Sequence, residues 1–223
     1  RIWTLAETKN KVYLDVALNI VMVHGVLSDG NDFDELAKKF VSDARLKNVK
    51  PKVSVIKYGK LLLSVGRIPF VRKLVSRYIA ARLAACTYKY PNAKTVVLAH
   101  SFGTWAVAHA IKELYNEFRL DMLILVGSVI PRNFNWSPYG IQVNNFVGNN
   151  DWVVLFSVLW GTGWSGRFGF KRARIVRYLP GEICLCRDYN NCYREWGHAD
   201  YPKGYDEYVS LIVDCLGVEA LRK

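Results

Sequence analysis

The sequence predicts an α/β fold with a mostly parallel central sheet and helices on both of its faces. Three observations lead there. Short apolar runs of strand length alternate with longer stretches of helical spacing. Strands that alternate with helices imply a parallel sheet covered on both sides. The chain has 223 residues, 51% of them hydrophobic, which is enough to bury one sizeable core.

The elements follow in chain order. Residues 16–23 (VALNIVMV) read as a buried strand that leads into His24 and Gly25. Residues 32–44 carry Phe33, Leu36, Ala37, Phe40, Val41 and Ala44 at helical spacing. Asn31 or Asp32 can cap that helix, and Asp34 and Glu35 suit its positive end. Residues 52–58 (KVSVIKY) alternate like a strand and stop at Gly59. A long helix is expected over 69–88, with Pro69 at its start. Residues 95–99 (TVVLA) form the next strand and 104–118 the next helix. Strands follow at 122–126 (MLILV) and 143–147 (VNNFV), a sixth at 173–179 and a seventh at 182–186. An amphipathic helix over 205–216 closes the chain. Right-handed crossovers put the carboxyl ends of such strands on one edge, where ligand crevices lie.

Composition excludes several classes. Aromatic residues are plentiful and 22% of residues are charged, so the chain is not disordered. Gly 16 and Pro 7 exclude a collagen-like or linker-dominated chain. No apolar run approaches the roughly 20 residues of a membrane-spanning helix. There is no internal repeat, and residues 1–223 read as one domain. No signal peptide is visible and the chain begins with Arg1, so a cytoplasmic protein lacking an upstream segment is expected. Five cysteines, with Cys184, Cys186 and Cys192 close together, lack paired zinc knuckles and read as reduced structural residues.

The chemistry centres on Ala99-His100-Ser101-Phe102-Gly103, between a strand and a helix. It is a variant of the G-x-S-x-G nucleophile elbow. A serine on so sharp a turn needs small neighbours two residues away, and Ala99 and Gly103 supply them. The turn lifts the hydroxyl off the sheet and aims a helix N-terminus at the reacting carbonyl. Of four histidines, His100 and His109 read as packing residues and His24 as a loop-shaping one. His198 sits in a loop before the last helix, free to reach the strand-end edge as the base. Asp151 ends a strand and a Gly-bearing turn, and can orient the imidazole. Asp200 is a rival acid, placed poorly at two residues from His198, and Asp29 and Asp32 are further rivals. The backbone N–H groups of Phe102 and Val26 are the candidate oxyanion donors.

Four motifs stand in order: VMVHG at 21–25, VVLAHSFG at 96–103, VNNFVGNND at 143–151 and WGHADYP at 196–202. On these the sequence resembles the α/β-hydrolase-fold serine hydrolases of the lipase and esterase type. The resemblance implies Ser101 as nucleophile, Asp151 as acid, His198 as base, and Val26 and Phe102 as oxyanion donors. It implies an acyl-enzyme hydrolysed by water, with no cofactor and no metal. Ala99 and Thr104 are mild departures, and the short stretch from Met122 to Asp151 leaves no room for a large cap domain.

The segment from Asp151 to Phe170 is aromatic and broken by glycines. It reads as a short lid or acyl-pocket wall, with Trp152, Phe156, Trp160 and Trp164 as substrate-binding residues; a plain buried helix with a following loop is the alternative. Lys and Arg number 31 against 19 Asp and Glu, a formal charge of +12 that favours acidic partners. Basic residues gather at Arg67, Arg72, Lys73, Arg77 and Arg82, and at Arg167, Lys171, Arg172, Arg174 and Arg177. The first group lies in a helical region expected to cover the sheet and expose its charges, or to lie on an anionic membrane; the second can bind a phosphate-bearing substrate or an anionic lipid surface. The expected activity is hydrolysis of a carboxylic ester, of a small molecule or a lipid, with an apolar acyl chain. A thioesterase, amidase or lyase on the same triad is the first rival. The second is a non-catalytic basic module for membrane or nucleic acid, and three intact motifs weigh against it.

Overall fold

Near-continuous apolar runs become the strands of one sheet, because each run meets helices on both sides. The computed structural model describes residues 17–26, 30–59, 68–114, 119–157, 159, 161–171, 186–189 and 197–217. Among them lie β1 (Leu18–Val23), β2 (Lys52–Ile56), β3 (Lys94–His100), β4 (Met122–Val126), β5 (Gln142–Phe146) and β6 (Cys186–Tyr189). The order is β2-β1-β3-β4-β5-β6, and every pairing is parallel. The register sets Val23 beside Ala99 and Ala99 beside Leu125, so the carboxyl ends of the central strands lie flush.

Alternate residues of each strand feed two cores. On one face Val21, Val23, Val97, Ala99, Leu123 and Leu125 pack under α2 (Pro69–Lys89) and α3 (Phe102–Leu114). On the other, Ile20, Met22, Val96, Leu98, Ile124 and Val126 pack under α1 (Asn31–Ser42) and α6 (Tyr205–Leu216). Two short helices, α4 (Trp152–Ser157) and α5 (Ser165–Phe168), follow β5 on the strand-end side.

Several expectations shift. Neither Asn31 nor Asp32 caps α1: Gly30 holds that position at φ 87 with no side-chain cap bond. Asp34 instead reaches across to Lys57 at 2.6 Å. Helix α3 begins at Phe102 rather than 104, because the turn is completed within Ser101. In α2, Val75, Ile79 and Leu83 cover the sheet, while Ile68, Phe70 and Leu74 at its amino end stay exposed. The strand expected at 173–179 and all but Cys186 of the one expected at 182–186 lie outside the described residues; strand β6 stands at Cys186–Tyr189. Cys86 and Cys215 are free thiols, half-buried, and burial raises the pKa of both. Cys184 and Cys192 lie outside the described residues. Among the described residues no helix is long and apolar enough to cross a membrane.

Candidate active site

Ser101 directly follows β3 at φ 55, one of two non-glycine residues with positive φ among those described. That left-handed backbone is costly for a residue with a side chain, and its presence at the strand end marks a built turn. The turn exists because the neighbours yield space. A Cβ on Gly103 would stand 2.5 Å from the His24 carbonyl oxygen and 2.7 Å from that of Val23. A Cβ on Gly25 would stand 2.8 Å from Ser101 Cβ. Thr104, a mild departure on sequence grounds, proves to be a clamp. Its hydroxyl donates to Ser101 O at 2.6 Å and accepts from Val129 N–H at 3.1 Å, joining the elbow to the loop after β4.

The strand-end edge brings three separated side chains into one chain of hydrogen bonds. His198 Nε2 lies 2.8 Å from Ser101 Oγ. His198 Nδ1 lies 2.9 Å from Asp151 Oδ2 and 3.1 Å from Oδ1. A carboxylate only accepts, so Nδ1 carries the proton, Nε2 is bare and the Ser101 hydroxyl donates to it. Asp151 is almost fully buried and also accepts from Val154 N–H at 2.9 Å, which fixes its carboxylate at the start of α4. This arrangement can deprotonate a hydroxyl and hold the imidazolium that results.

Of the rival acids, Asp200 has other partners. Asp200 accepts from Gly197 N–H at 2.7 Å and pairs with Lys203, which together hold its carboxyl below the usual range. It therefore shapes the loop that carries His198. Asp32 lies in the first turn of α1, and Asp29 lies outside the described residues.

The remaining histidines separate clearly. His24 is buried and donates from Nδ1 to Gly25 O at 2.6 Å, while its Nε2 accepts from Tyr58 N–H. It stacks on Tyr58 and so fixes the loop of Gly25 and Val26, the loop-shaping role its position suggested. His109 stacks on Trp105 and bonds the Trp105 carbonyl. His100 does more than pack. Its Nε2 donates to the backbone carbonyl of His198 at 2.8 Å, and its ring lies 4.7 Å from that of His198. Burial, with the neighbouring His198 second, pushes its pKa down to about 3, so it remains a neutral donor. The residue preceding Ser101 in the elbow was the only sequence signal for it.

Of the oxyanion candidates, Phe102 opens α3 directly after Ser101, and Val26 follows Gly25, which lies against the Ser101 side chain. Trp152 and Phe156 are exposed on α4, which begins directly after Asp151, and Trp164 is exposed in the loop before α5. Trp160 lies outside the described residues. The stretch after α4 is laced to the loop after β4: Gly163 N–H donates to Val129 O, Gly166 N–H to Ser128 O, and Ser165 Oγ to Ser128 Oγ. Side chains on Gly163 or Gly166 would collide with the backbone of that loop, so the contact is close and fixed. Its exposed aromatics distinguish the described part of the segment from a plain buried helix.

Solved structures share this architecture. An uncharacterized protein from Bacillus cereus aligns with a TM-score of 0.56 at 11% identity, over 96% of this chain and 65% of its own. The chain thus spans just under two thirds of that protein's length. Esterase PE8 aligns with a TM-score of 0.56 at 15% identity, covering 90% of this chain and 93% of its own. Acyl-protein thioesterase 2 of Zea mays aligns with a TM-score of 0.53 at 15% identity, covering 90% and 92%. At such identities the likeness carries the α/β-hydrolase fold and not the reaction. No curated protein matches the sequence significantly. Residues 17–147, more than half of the chain, match the family described as "Putative serine esterase (DUF676)". That match contains the elbow and ends before Asp151 and His198, whose assignment rests on geometry alone. With the fold, the elbow and the family match in agreement, the chain belongs to this serine esterase family of α/β hydrolases.

Proposed function

We propose that the protein cleaves carboxylic esters through Ser101, His198 and Asp151. The observation that carries this reading is the unbroken hydrogen-bond chain from Ser101 Oγ through the His198 ring to the buried Asp151 carboxylate. As Ser101 Oγ attacks the carbonyl carbon, its proton passes to His198 Nε2. Asp151 holds the ring in its tautomer and offsets the charge of the imidazolium. The carbonyl oxygen gains charge and is met by the N–H groups of Val26 and Phe102, each worth about 2.7–4 kcal/mol of barrier lowering. His198 then returns the proton to the leaving alcohol, and the acyl group stays on Ser101. Water, deprotonated by the same imidazole, attacks the acyl-enzyme and frees the acid. Every step uses protein groups and water. The exposed aromatic surface beside Asp151 supports a substrate with an apolar acyl chain.

A fluorophosphonate probe tests the nucleophile. The expected result is an adduct mapped by mass spectrometry to Ser101 and absent from Ser101→Ala, with ester turnover lowered about 10⁴-fold or more in the variant. Parental turnover by a folded Ser101→Ala protein would sink the assignment. Matched ester, thioester and amide substrates then rank the leaving group, with the ester expected to be fastest.

A further inference from the structure

We propose that the apolar surface formed by α4 and α5 docks the protein on an anionic lipid bilayer and presents the site to esters held in it. The proposal rests on the esterase reading above and names its substrate class. Helix α4 turns Val154 and Ser157 inward, while Trp152, Phe156 and Leu159 lie outward, 58%, 56% and 71% exposed. The spacing of four residues puts Trp152 and Phe156 on one face of α4, and Leu159 lies just beyond its end. Helix α5 extends that face. The Arg167 guanidinium sits 4.4 Å over the Trp152 ring and 5.6 Å from that of Phe168, so one cation joins the two helices. Arg132 lies 5.7 Å from the Phe168 ring as well.

Contiguous exposed apolar surface on this scale marks an interaction site. Three features select a lipid surface as its occupant. The aromatics are interleaved with Arg132, Arg167 and the exposed Lys171, the mixture of rings and cations that settles at an anionic membrane interface. One nearby carboxylate, Asp188, is turned inward onto Asn145 Nδ2 and Phe170 N–H and offsets part of the Arg132 charge, so the surface relies chiefly on Arg167 and Lys171. Finally, α4 begins directly after Asp151, whose carboxylate accepts from Val154 N–H. A protein partner seated here would cover the mouth of the site, whereas a bilayer would deliver substrate into it. The backbone bonds that lace Gly163 and Gly166 to the loop after β4 hold the surface preformed, so docking needs little ordering.

The test uses Ser101→Ala protein, which separates docking from turnover, and sedimentation with phosphatidylcholine vesicles that contain or lack phosphatidylglycerol. Binding to the anionic vesicles is expected, about tenfold weaker to neutral ones and weakened by salt. Leu159→Ser with Phe168→Ser is expected to weaken binding about tenfold. Leu159→Ser alone, at the most exposed position, should move it in the same direction. Arg167→Gln with Lys171→Gln should abolish the preference for anionic vesicles. Failure of the folded protein to bind, equal binding by all variants, or self-association through this face in place of vesicle binding would overturn the proposal. Hydrolysis of a soluble short-chain ester by the parent protein separates the two readings. Hydrolysis without vesicle binding removes docking alone, and vesicle binding without hydrolysis or a Ser101 adduct removes the esterase reading.

Discussion

The His100 ring sits in a buried aromatic cluster with Tyr201 at 4.4 Å, His198 at 4.7 Å and Phe33 at 6.4 Å. Its ring N–H donates to the His198 carbonyl. It thus touches the base through the backbone and fixes the height of the imidazole above Ser101. Phenylalanine can fill the same space among these rings but cannot donate. His100→Phe is therefore expected to lower kcat about tenfold with KM almost unchanged, corresponding to about 1.4 kcal/mol lost only in the transition state. Glutamine keeps an N–H donor, and His100→Gln should recover part of the loss. Steady-state kinetics on a soluble ester check both variants, and a parental kcat in His100→Phe would remove the positioning role. Nothing in one sequence assigns this role, because the carbonyl concerned lies 98 residues away. The same holds for Thr104, whose partner Val129 N–H is 25 residues distant. Short-range patterns report the elbow itself, since its steric demands fall on adjacent residues.

At the scale of elements, the end of β4 carries as much of the site as the elbow does. Gly127 follows Val126 at φ +55, and a Cβ there would stand 3.1 Å from His198 Nδ1 and 3.2 Å from Asp151 Oδ2. Gly127→Ala therefore meets two costs. Left-handed backbone takes about 1–2 kcal/mol of stability, and the methyl pushes on the bond between acid and base. Gly140, at φ +60 with nothing within 4 Å of an added Cβ, meets only the first. The expectation is a similar loss of stability in both alanine variants, with kcat lowered about 10–100-fold in Gly127→Ala alone. Denaturant unfolding with steady-state rates checks the pair, and equal kcat values would show that the strand end does not bear on the base. Elements with strong local signals were legible in sequence: β4 matches the run MLILV, and α6 spans 205–216 as its periodicity indicated. The start of α1 was not legible. Gly30 adopts its φ of 87 against His24 and Lys57, a tertiary arrangement that overrides the good capping residues beside it. Strand β6 carries only a weak signal of its own, since its place is set by pairing with β5.

Across the whole molecule, the sheet gathers Gly25, Ser101, Gly127, Asp151 and His198 onto one edge, although Ser101 and His198 are 97 residues apart. The order of the three polar residues and their positions after strands were readable in sequence because parallel crossovers send every strand end to the same side. Burying a site this way leaves titratable groups in the core, and global stability must then follow pH. His100 shifts from an ordinary 6.5 to about 3 through burial. Between those values the unfolded chain holds a proton that the folded chain lacks, so stability falls with pH, by about 1.4 kcal/mol per unit. Above about 6.5 both states are neutral at this ring and its contribution is constant. Asp188 acts in the opposite sense: burial raises its pKa, so on acidification the folded state takes up that proton first and gains stability. Asp43, bonded to Arg45 and Tyr205, is held well below the usual carboxylate range, and its contribution is lost only in stronger acid. The His100 share is isolated by comparison with His100→Phe, which leaves the two carboxylates in place. The parent's stability advantage over the variant should be level above about 6.5, shrink as pH falls toward 3, and reverse before that limit. Urea unfolding of both proteins across this window measures the difference, and a difference independent of pH would mean that His100 takes its proton in the folded state as readily as in the unfolded one.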